Sequence, residues 1–181
     1  MDGQVLLHRF RYHLGCGFIT PTDIVLDLGS GHGYGTKILA GVAKFVTGYD
    51  FDKRNIHTGN TRHKVKNNKF VKADLETAKL KNADVATSFE VIEHLYKPYD
   101  FIQKIKSKIR KFIVVSVPIG ERLHEVDGDI QVIGDWSHHS VFPSQEDLDK
   151  MFVDENWGRF YGIRSGVTYI AVYYNKNQYE N

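Results

Sequence analysis

The chain of 181 residues is 41% hydrophobic, 25% charged and 13% aromatic, with a formal net charge of +2. This composition excludes a disordered chain, and the length suits one folded domain, so we take residues 1–181 as a single domain. No stretch approaches the roughly 18 to 20 apolar residues that span a bilayer, which excludes a transmembrane segment.

The N-terminal segment, residues 1–20, predicts a helix. Its apolar residues recur at helical spacing, at Val5, Leu6, Phe10 and Leu14. Gly15 is a residue suited to the end of this helix. We expect the helix to lie across the sheet edge or over a ligand cleft.

Cysteine usage and the first residues favour a reducing, cytoplasmic setting. Cys16 is the single cysteine, so no intramolecular disulfide can form. No charged-then-apolar leader opens the sequence.

Short runs rich in Val and Ile alternate with helical segments along the rest of the chain, a pattern typical of a parallel sheet covered by helices. The predicted strands are residues 24–28, 44–50, 69–73, 83–89 and 111–117. The predicted helices are residues 34–42, 53–66, 98–109 and 144–155. Two further strands, joined at Ser165 and Gly166, are predicted to be antiparallel because a short turn links them. The sequence thus predicts a doubly wound α/β fold, with a mostly parallel seven-stranded Rossmann-like sheet and a C-terminal antiparallel hairpin.

The first predicted strand runs into a glycine-rich turn, VLDLGSGHGYG, at residues 25–35. A strand, such a turn and a helix N-terminus together are where an open α/β sheet binds a nucleotide-like ligand. The dinucleotide pattern G-x-G-x-x-G fails, because Tyr34 or Thr36 stands where its third glycine belongs. The P-loop pattern also fails, because no G-K-[ST] follows at the required spacing. The turn therefore fits neither phosphate-binding loop.

Two aspartates indicate what this turn binds. Asp27 precedes the glycines, where its carboxylate would repel a pyrophosphate but suit a ligand with positive charge. Asp50 ends the second strand about twenty residues further on, the position from which an acidic side chain accepts hydrogen bonds from ribose hydroxyls. The ligand is expected to carry both a cation and a ribose.

Four blocks in this order, VLDLGSGHGYG, VTGYDFD, VKADLE and ADVATSFEVIEHL, resemble the class I S-adenosylmethionine-dependent methyltransferases. The likeness extends from residue 24 to about residue 174. It implies S-adenosyl-L-methionine as the cofactor, with S-adenosyl-L-homocysteine as the product.

The resemblance also implies the residues around the cofactor's methionine end. Asp27 would approach the ammonium group, and Phe89 and Glu90 would line the wall next to the methyl group. The turn beside the methionine part would consist of Gly29, Ser30, Gly31 and Gly33.

The adenosine end is implied in the same way. Asp50 would hold the ribose, Phe51 would pack on the adenine, Asp74 would receive its exocyclic amine, and Leu75 would lie beside it. Plain core packing is the alternative for Phe51 and Leu75, and a helix cap is the alternative for Asp74.

The block EVIEH follows the fourth predicted strand and carries the candidate chemistry. In place of the N/D-P-P-Y block of many methyltransferases that act on amino groups of bases, this chain has SFEV. Methylation of an exocyclic amine is therefore disfavoured. If the block is helical, Glu90, Glu93 and His94 share one face, where they could bind Mg²⁺ or Mn²⁺.

Two interpretations of this block remain open. In superfamily members that act on small molecules, the same block occurs without metal and its histidine lies near the acceptor. In the small-RNA 3'-terminal 2'-O-methyltransferases, it joins a later histidine to hold a metal. His139 is positioned for that later role, while His138 is expected to be a surface loop residue. We take His94, Glu93 and His139 as catalytic and expect no metal; the ligands of a metal-dependent enzyme would be Glu90, Glu93, His94 and His139.

Two longer segments bear on the partner. Residues 119–142, which include Trp136, form an unusually long connection and are expected to cover the acceptor. Residues 53–72 hold seven Lys and Arg residues and no acidic residue, which leaves RNA open as a partner.

The predicted function is methylation of an oxygen on a small molecule or other hydroxyl-bearing acceptor. One alternative is a metal-dependent RNA 3'-terminal 2'-O-methyltransferase, and another is a catalytically silent scaffold subunit that binds S-adenosylmethionine. The sequence gives no indication of the oligomeric state.

Overall fold

A computed structural model describes residues 3–120, 123–126, 129–132 and 138–179 of the chain. Its strands are β1 (Ile24–Leu28), β2 (Phe45–Asp50), β3 (Asn68–Lys72), β4 (Ala83–Phe89), β5 (Ile109–Pro118), β6 (Leu123–Val126), β7 (Asp129–Val132), β8 (Trp157–Ser165) and β9 (Thr168–Asn175). Its α-helices are α1 (Gly3–Cys16), α2 (Tyr34–Ala40), α3 (Lys53–Thr58), α4 (Pro98–Lys106) and α5 (Gln145–Phe152).

Seven strands form one sheet in the order β3-β2-β1-β4-β5-β9-β8. The first five pair in parallel, while β9 runs antiparallel to both β5 and β8. The hairpin of β8 and β9 turns at Gly166, whose φ of 63° lies in the left-handed region that favours glycine. The predicted fold class is confirmed.

Alternation along the strands places hydrophobic side chains on both faces of the sheet. On one face, Val25 and Val46 pack with Tyr12 of α1 and Leu39 of α2. The other face packs against α4 and α5, and its cluster includes Leu26, Ile113, Phe101, Ile105, Leu148 and Phe152. Each fully buried residue of this size contributes about 1.5 to 3 kcal/mol of transfer free energy. Helices therefore cover both faces, as a doubly wound sheet requires.

The predicted helices are longer than those observed, and residues 53–66 differ most. The α-helix ends at Thr58 and continues as one π-helical turn, Gly59–His63. A Cβ on Gly59 would lie 2.8 Å from the ring of Phe70, so close packing against β3 shapes this segment. The Asn68 side chain then accepts a hydrogen bond from the Val65 amide at 2.9 Å, which turns the chain into β3.

The predicted connection over residues 119–142 contains secondary structure. Strands β6 and β7 pair there as a separate antiparallel ribbon, with Leu123 opposite Val132. Trp136 lies outside the described residues. Within residues 3–120, 123–126, 129–132 and 138–179, no helix is long and apolar enough to cross a membrane.

Helix α1 lies over the same end of the sheet as the glycine turn. Tyr12 packs against Gly35 of α2 so closely that a Cβ there would lie 1.9 Å from a ring carbon. The Tyr12 ring also meets Tyr34 and Phe89 edge-on, with centroids 5.6 and 4.9 Å apart. The predicted N-terminal helix is confirmed, and it contributes side chains to the site.

Candidate functional site

A cavity of about 1190 Å³ opens at the carboxyl ends of the parallel strands. The segments that follow β1, β2, β3 and β4 all contribute to its lining, among them Ser30, Asp50, Asp74 and Glu90. The strand order reverses between β1 and β4, and ligands of open α/β sheets bind at such a switch point.

The glycine turn is held against the neighbouring strand by its own backbone. The amides of Gly29 and Ser30 both donate to the Tyr49 carbonyl, at 2.9 and 2.8 Å. The amide of Gly31 donates to Asp50 Oδ2 at 2.8 Å. Gly29 has a φ of 82°, and a Cβ on it would lie 2.2 Å from the Val91 side chain. The turn is therefore preformed.

Asp27 lies beneath this turn. Its carboxylate accepts hydrogen bonds from Thr36 Oγ1 at 2.6 Å, Thr87 Oγ1 at 2.9 Å and the Tyr12 hydroxyl at 3.4 Å. Burial raises the pKa of Asp27 to about 6, although the hydrogen bond from Thr36 opposes the rise. Asp27 is 1% exposed and is not among the described residues that line the cavity. Its approach to a ligand ammonium stays a prediction.

The predicted adenosine residues all line the cavity. Asp50 is buried and accepts further hydrogen bonds from the Asp52 amide and from Asn55 Nδ2, at 2.9 and 3.1 Å. Phe51 is 76% exposed, so its ring is not core packing and remains available to a ligand. Asp74 and the buried Leu75 line the cavity as well.

Asp74 also caps a turn, the alternative that the sequence left open. Its carboxylate accepts from the Glu76 amide at 2.9 Å and from Thr77 Oγ1 at 3.2 Å. Because Asp74 is exposed and lines the cavity, a cap and a contact to the ligand are compatible.

Glu90 forms part of the cavity wall and has strained backbone. Its φ of 54° is the one positive value among the described non-glycine residues, a feature that concentrates at functional sites. Ser116 Oγ donates to Glu90 Oε1 at 2.8 Å, and Arg11 Nη1 lies 3.5 Å from the same oxygen. Arg11 is 3% exposed and also donates to Thr168 Oγ1 at 3.2 Å, which ties α1 to this wall.

The EVIEH block is not one helix, so its predicted common face does not form. A short 3-10 helix spans Ile92–His94, while Glu90 precedes it in the left-handed region and turns toward Arg11. The block separates into Glu90 on one side and Glu93 with His94 on the other.

Glu93 and His94 meet a histidine from the segment before α5. The candidate ligand atoms of Glu93, His94 and His138 all lie within 4.8 Å of one another. The rings of His94 and His138 are 4.9 Å apart between centroids. His139, the histidine favoured from the sequence, instead stacks on Tyr96 at 3.9 Å and lines the cavity with His94.

Several residues of this site were not identified from the sequence. Helix α1 supplies His8 and Tyr12 to the cavity and Arg11 to Glu90, and α2 supplies Tyr34. Burial lowers the pKa of His8, and the charge of Arg11 lowers it further. The doubled histidine of SHHS pointed to this segment, but the sequence prediction chose His139 and took His138 as a surface loop residue. No local pattern linked α1 to these partners.

The fold and the cavity define a doubly wound α/β protein with a ligand site at the switch point of its sheet. The family model described as a methyltransferase domain matches residues 26–111. A probable S-adenosylmethionine-dependent methyltransferase of Mycobacterium tuberculosis is 32% identical over 115 residues, which are 61% of this chain and 41% of the relative. Over these residues the chain is similar to S-adenosylmethionine-dependent methyltransferases.

Solved structures agree on the fold. The structure described as a DhpI–SAH complex matches with a TM-score of 0.69 at 20% identity, covering 90% of this chain and 80% of that one. The N-methyltransferase NodS from Bradyrhizobium japonicum matches with a TM-score of 0.71 at 16% identity, covering 95% and 96%. At these identities the likeness concerns the fold alone. The chain spans about two fifths of the length of the curated relatives it matches.

Proposed function

We propose that this chain binds S-adenosylmethionine in the cavity and transfers its methyl group to a hydroxyl oxygen of a small molecule. The match of residues 26–111 to a methyltransferase domain and the similarity to S-adenosylmethionine-dependent relatives support the cofactor. The preformed turn, Asp50 at the end of β2 and the accessible ring of Phe51 support its placement. In this placement the methyl group faces Glu90 and the histidines beyond it.

Methyl transfer is an in-line displacement, so the site must hold the acceptor oxygen against the methyl carbon. The new C–O bond forms as the C–S bond breaks, and the electron pair of the C–S bond returns to sulfur. A hydroxyl acceptor must also lose its proton during the transfer, and a base assists this step. An amine acceptor can lose its proton after the transfer, without help from a base. A base at the acceptor end therefore favours a hydroxyl acceptor.

One observation carries the proposal: His94 and His139 both line the cavity. Two imidazoles on the cavity wall can supply the proton acceptor that a hydroxyl needs. Glu93 lies next to His94 in the chain and is 1% exposed, which suits a group that orients the histidine rather than one that contacts the acceptor.

The test is transfer of a labelled methyl group from the cofactor to a cell extract divided into small-molecule, protein and RNA fractions. We expect label in the small-molecule fraction and, by mass spectrometry, on an oxygen atom. His94→Ala should lower turnover about 100-fold or more while cofactor binding is retained. His57→Ala, on the exposed face of α3, is the matched control and should remain active. Equal turnover in His94→Ala and the control would remove His94 from the mechanism.

The other fractions decide between the alternatives. Label in RNA that is lost with EDTA, together with protection of the RNA 3' end from periodate, would favour the RNA 2'-O-methyltransferase. Cofactor binding without labelled product in any fraction would favour the scaffold subunit. A cytoplasmic location is part of the proposal and rests on the single Cys16, which cannot form an intramolecular disulfide.

A further inference from the structure

Three aromatic side chains meet in the wall of the cavity. Tyr12 of α1, Tyr34 of α2 and Phe89 of β4 all line it. The centroid of the Tyr12 ring lies 5.6 Å from that of Tyr34 and 4.9 Å from that of Phe89. The packing of α1 therefore joins the three rings into one aromatic surface on the cavity.

These rings lie where the sulfur of the cofactor is expected. The sheet has β2 and β3 on one side of β1, and β4 on the other. The proposed contacts to ribose and adenine, Asp50, Phe51 and Asp74, come at the ends of β2 and β3. Phe89 ends β4, and Tyr34 begins the helix that follows β1. A cofactor whose adenosine lies against β2 and β3 would therefore extend its sulfur toward Tyr34 and Phe89.

The arrangement of the rings suits a positively charged group. The Tyr12 ring stands at 69° to Tyr34 and at 84° to Phe89, so the ring faces point in different directions. A cation within about 6 Å of a ring centroid is attracted by the negative face of the ring, and the attraction grows when water is excluded. Both other centroids lie within 5.6 Å of that of Tyr12, so one cation can be in range of more than one ring. Tyr12 and Phe89 are 5% and 6% exposed, which keeps most of each ring away from bulk water.

The charges around Tyr12 are compatible with a cation. The Tyr12 hydroxyl donates to the Asp27 carboxylate at 3.4 Å. Arg11, the next residue in the chain, lies 3.5 Å from Glu90 Oε1, so the charge of its guanidinium is offset there. A positive group beside the three rings would therefore have a carboxylate nearby.

We propose that Tyr12, Tyr34 and Phe89 bind the sulfonium centre of S-adenosylmethionine through their ring faces and thereby distinguish it from S-adenosylhomocysteine. The inference rests on the proposed function, which puts the cofactor in this cavity. When the methyl group leaves, the electron pair of the C–S bond returns to sulfur, so the product is a neutral thioether. The product loses the attraction of the rings, which favours its exchange for a new cofactor molecule.

The test compares three ligands by calorimetry on the full chain. S-adenosylmethionine carries a sulfonium, sinefungin carries a protonated amine in place of the methyl group, and S-adenosylhomocysteine is uncharged at this position. All three share the same adenosine and amino-acid ends, so contacts to those ends cancel in the ratio of affinities. Tyr34 is half-buried and is the member of the three that is best suited to substitution.

In Tyr34→Leu, the affinities for S-adenosylmethionine and sinefungin should each fall about fivefold or more relative to that for S-adenosylhomocysteine. Tyr34→Phe keeps the ring and should keep the ratios of the unmodified chain. Ratios in Tyr34→Leu equal to those of the unmodified chain would overturn the inference.

Phe51→Leu is the matched control. It removes an aromatic ring at the proposed adenine contact, which all three ligands share. Their affinities should therefore weaken alike, with unchanged ratios. If Phe51→Leu lowered the ratios as much as Tyr34→Leu does, the charge would not be recognised at the three rings and the inference would fall.

A fluorinated ring keeps the test valid if Tyr34→Leu does not unfold cooperatively. Pentafluorophenylalanine at position 89 nearly keeps the shape of Phe89 but removes the negative potential of the ring faces. The ratios should then fall in the same direction as in Tyr34→Leu. Unchanged ratios with the fluorinated ring would overturn the inference.

The same titrations separate this inference from the proposed function. Binding of S-adenosylhomocysteine and S-adenosylmethionine with ratios that no variant changes would leave the function standing and overturn the inference. Failure of the unmodified chain to bind any of the three ligands would overturn the proposed function, and the inference with it.

Discussion

Asp27 links the sheet, the glycine turn and α1. Its carboxylate is the common acceptor for Thr87 on β4, Thr36 on α2 and Tyr12 on α1. Because burial raises its pKa to about 6, the side chain titrates between pH 5 and 7. A cofactor whose cationic end approaches the turn would favour the ionised form.

This gives a pH-dependent prediction for Asp27. The ligand binds best to ionised Asp27, so affinity should rise as pH increases through 6 and level off above it. At pH 5 about one tenth of the groups with a pKa of 6 are ionised, so S-adenosylhomocysteine should bind about tenfold more weakly than at pH 7.5. Calorimetry at the two pH values measures the ratio.

Asp27→Asn supplies the control for that experiment. Asparagine keeps the size of the side chain but cannot titrate, so the tenfold ratio should disappear. An unmodified chain with the same affinity at both pH values would show that Asp27 does not respond to the ligand.

The individual residues of the site show how much of it could be predicted from the sequence. Asp50 was predicted from its place at the end of the second strand, and Phe51, Asp74 and Leu75 were implied by the resemblance. All four line the cavity, because the ends of parallel strands meet at one edge of the sheet. The sequence prediction chose His139 over His138, whereas the structure brings His138 close to Glu93 and His94, because neighbours in an irregular segment can face different sides. Only the contacts of that segment with Glu93 settle which imidazole joins Glu93 and His94.

Among the secondary-structure elements, helix α1 forms part of the site. It contacts α2 through Tyr12, the wall at Glu90 through Arg11, and the start of β9 through Thr168. These contacts join residues as far as 157 positions apart in the sequence, so no local sequence pattern predicts them. The sequence predicted the helix from its apolar spacing but not its partners.

Packing of α1 on α2 can be tested at Gly35. In Gly35→Ala the new Cβ would overlap the Tyr12 ring, at 1.9 to 2.3 Å from its carbons. Displacement of Tyr12 should destabilise the chain by about 1 to 3 kcal/mol and weaken binding of S-adenosylhomocysteine, because Tyr12 lines the cavity and contacts Asp27. Chemical unfolding and calorimetry measure the two effects.

Gly41→Ala, at the other end of the same helix, is the control. Gly41 is exposed and has the φ of −67° of an ordinary helical residue, and a Cβ on it would meet the Ile38 carbonyl oxygen at 3.0 Å, so its substitution should change stability by about 1 kcal/mol or less and leave binding of S-adenosylhomocysteine unchanged. Similar losses in both variants would mean that α1 is not held through Tyr12.

The ends of helices and strands show where sequence patterns no longer predict the structure. Strands β1 and β4 have the predicted bounds because each is a short, almost wholly buried run. The helices end early where tertiary packing intervenes, as at Gly59 beneath Phe70. Predicted residues 144–155 end instead at Phe152, because Asp154 accepts hydrogen bonds from the amides of Asn156 and Trp157 and forms a turn.

For the whole molecule, the strand order explains why the site lies where it does. Strands β1 and β4 are neighbours in the sheet but are separated in sequence by β2 and β3. The connection after β1 therefore runs toward one edge of the sheet, and the connection after β4 runs toward the other edge. The glycine turn, Glu90 and two histidines, His94 and His139, all line this one cavity. Alternation of strands and helices predicted the parallel sheet covered by helices, whereas the residues of the cavity wall were implied mainly by the resemblance. The acceptor end was harder to predict, because it depends on residues 119–142, α1 and the approach of His138.

The central claim is that this cavity is the S-adenosylmethionine site, and Asp50 tests it most directly. Asp50 carries the proposed ribose contact, and its neighbour Asp52 caps α3 outside the cavity lining. Calorimetry with S-adenosylhomocysteine should give micromolar binding to the unmodified chain and to Asp52→Ala, and none to Asp50→Ala when its unfolding curve remains cooperative. Failure of the unmodified chain to bind, or equal binding by both variants, would contradict the claim.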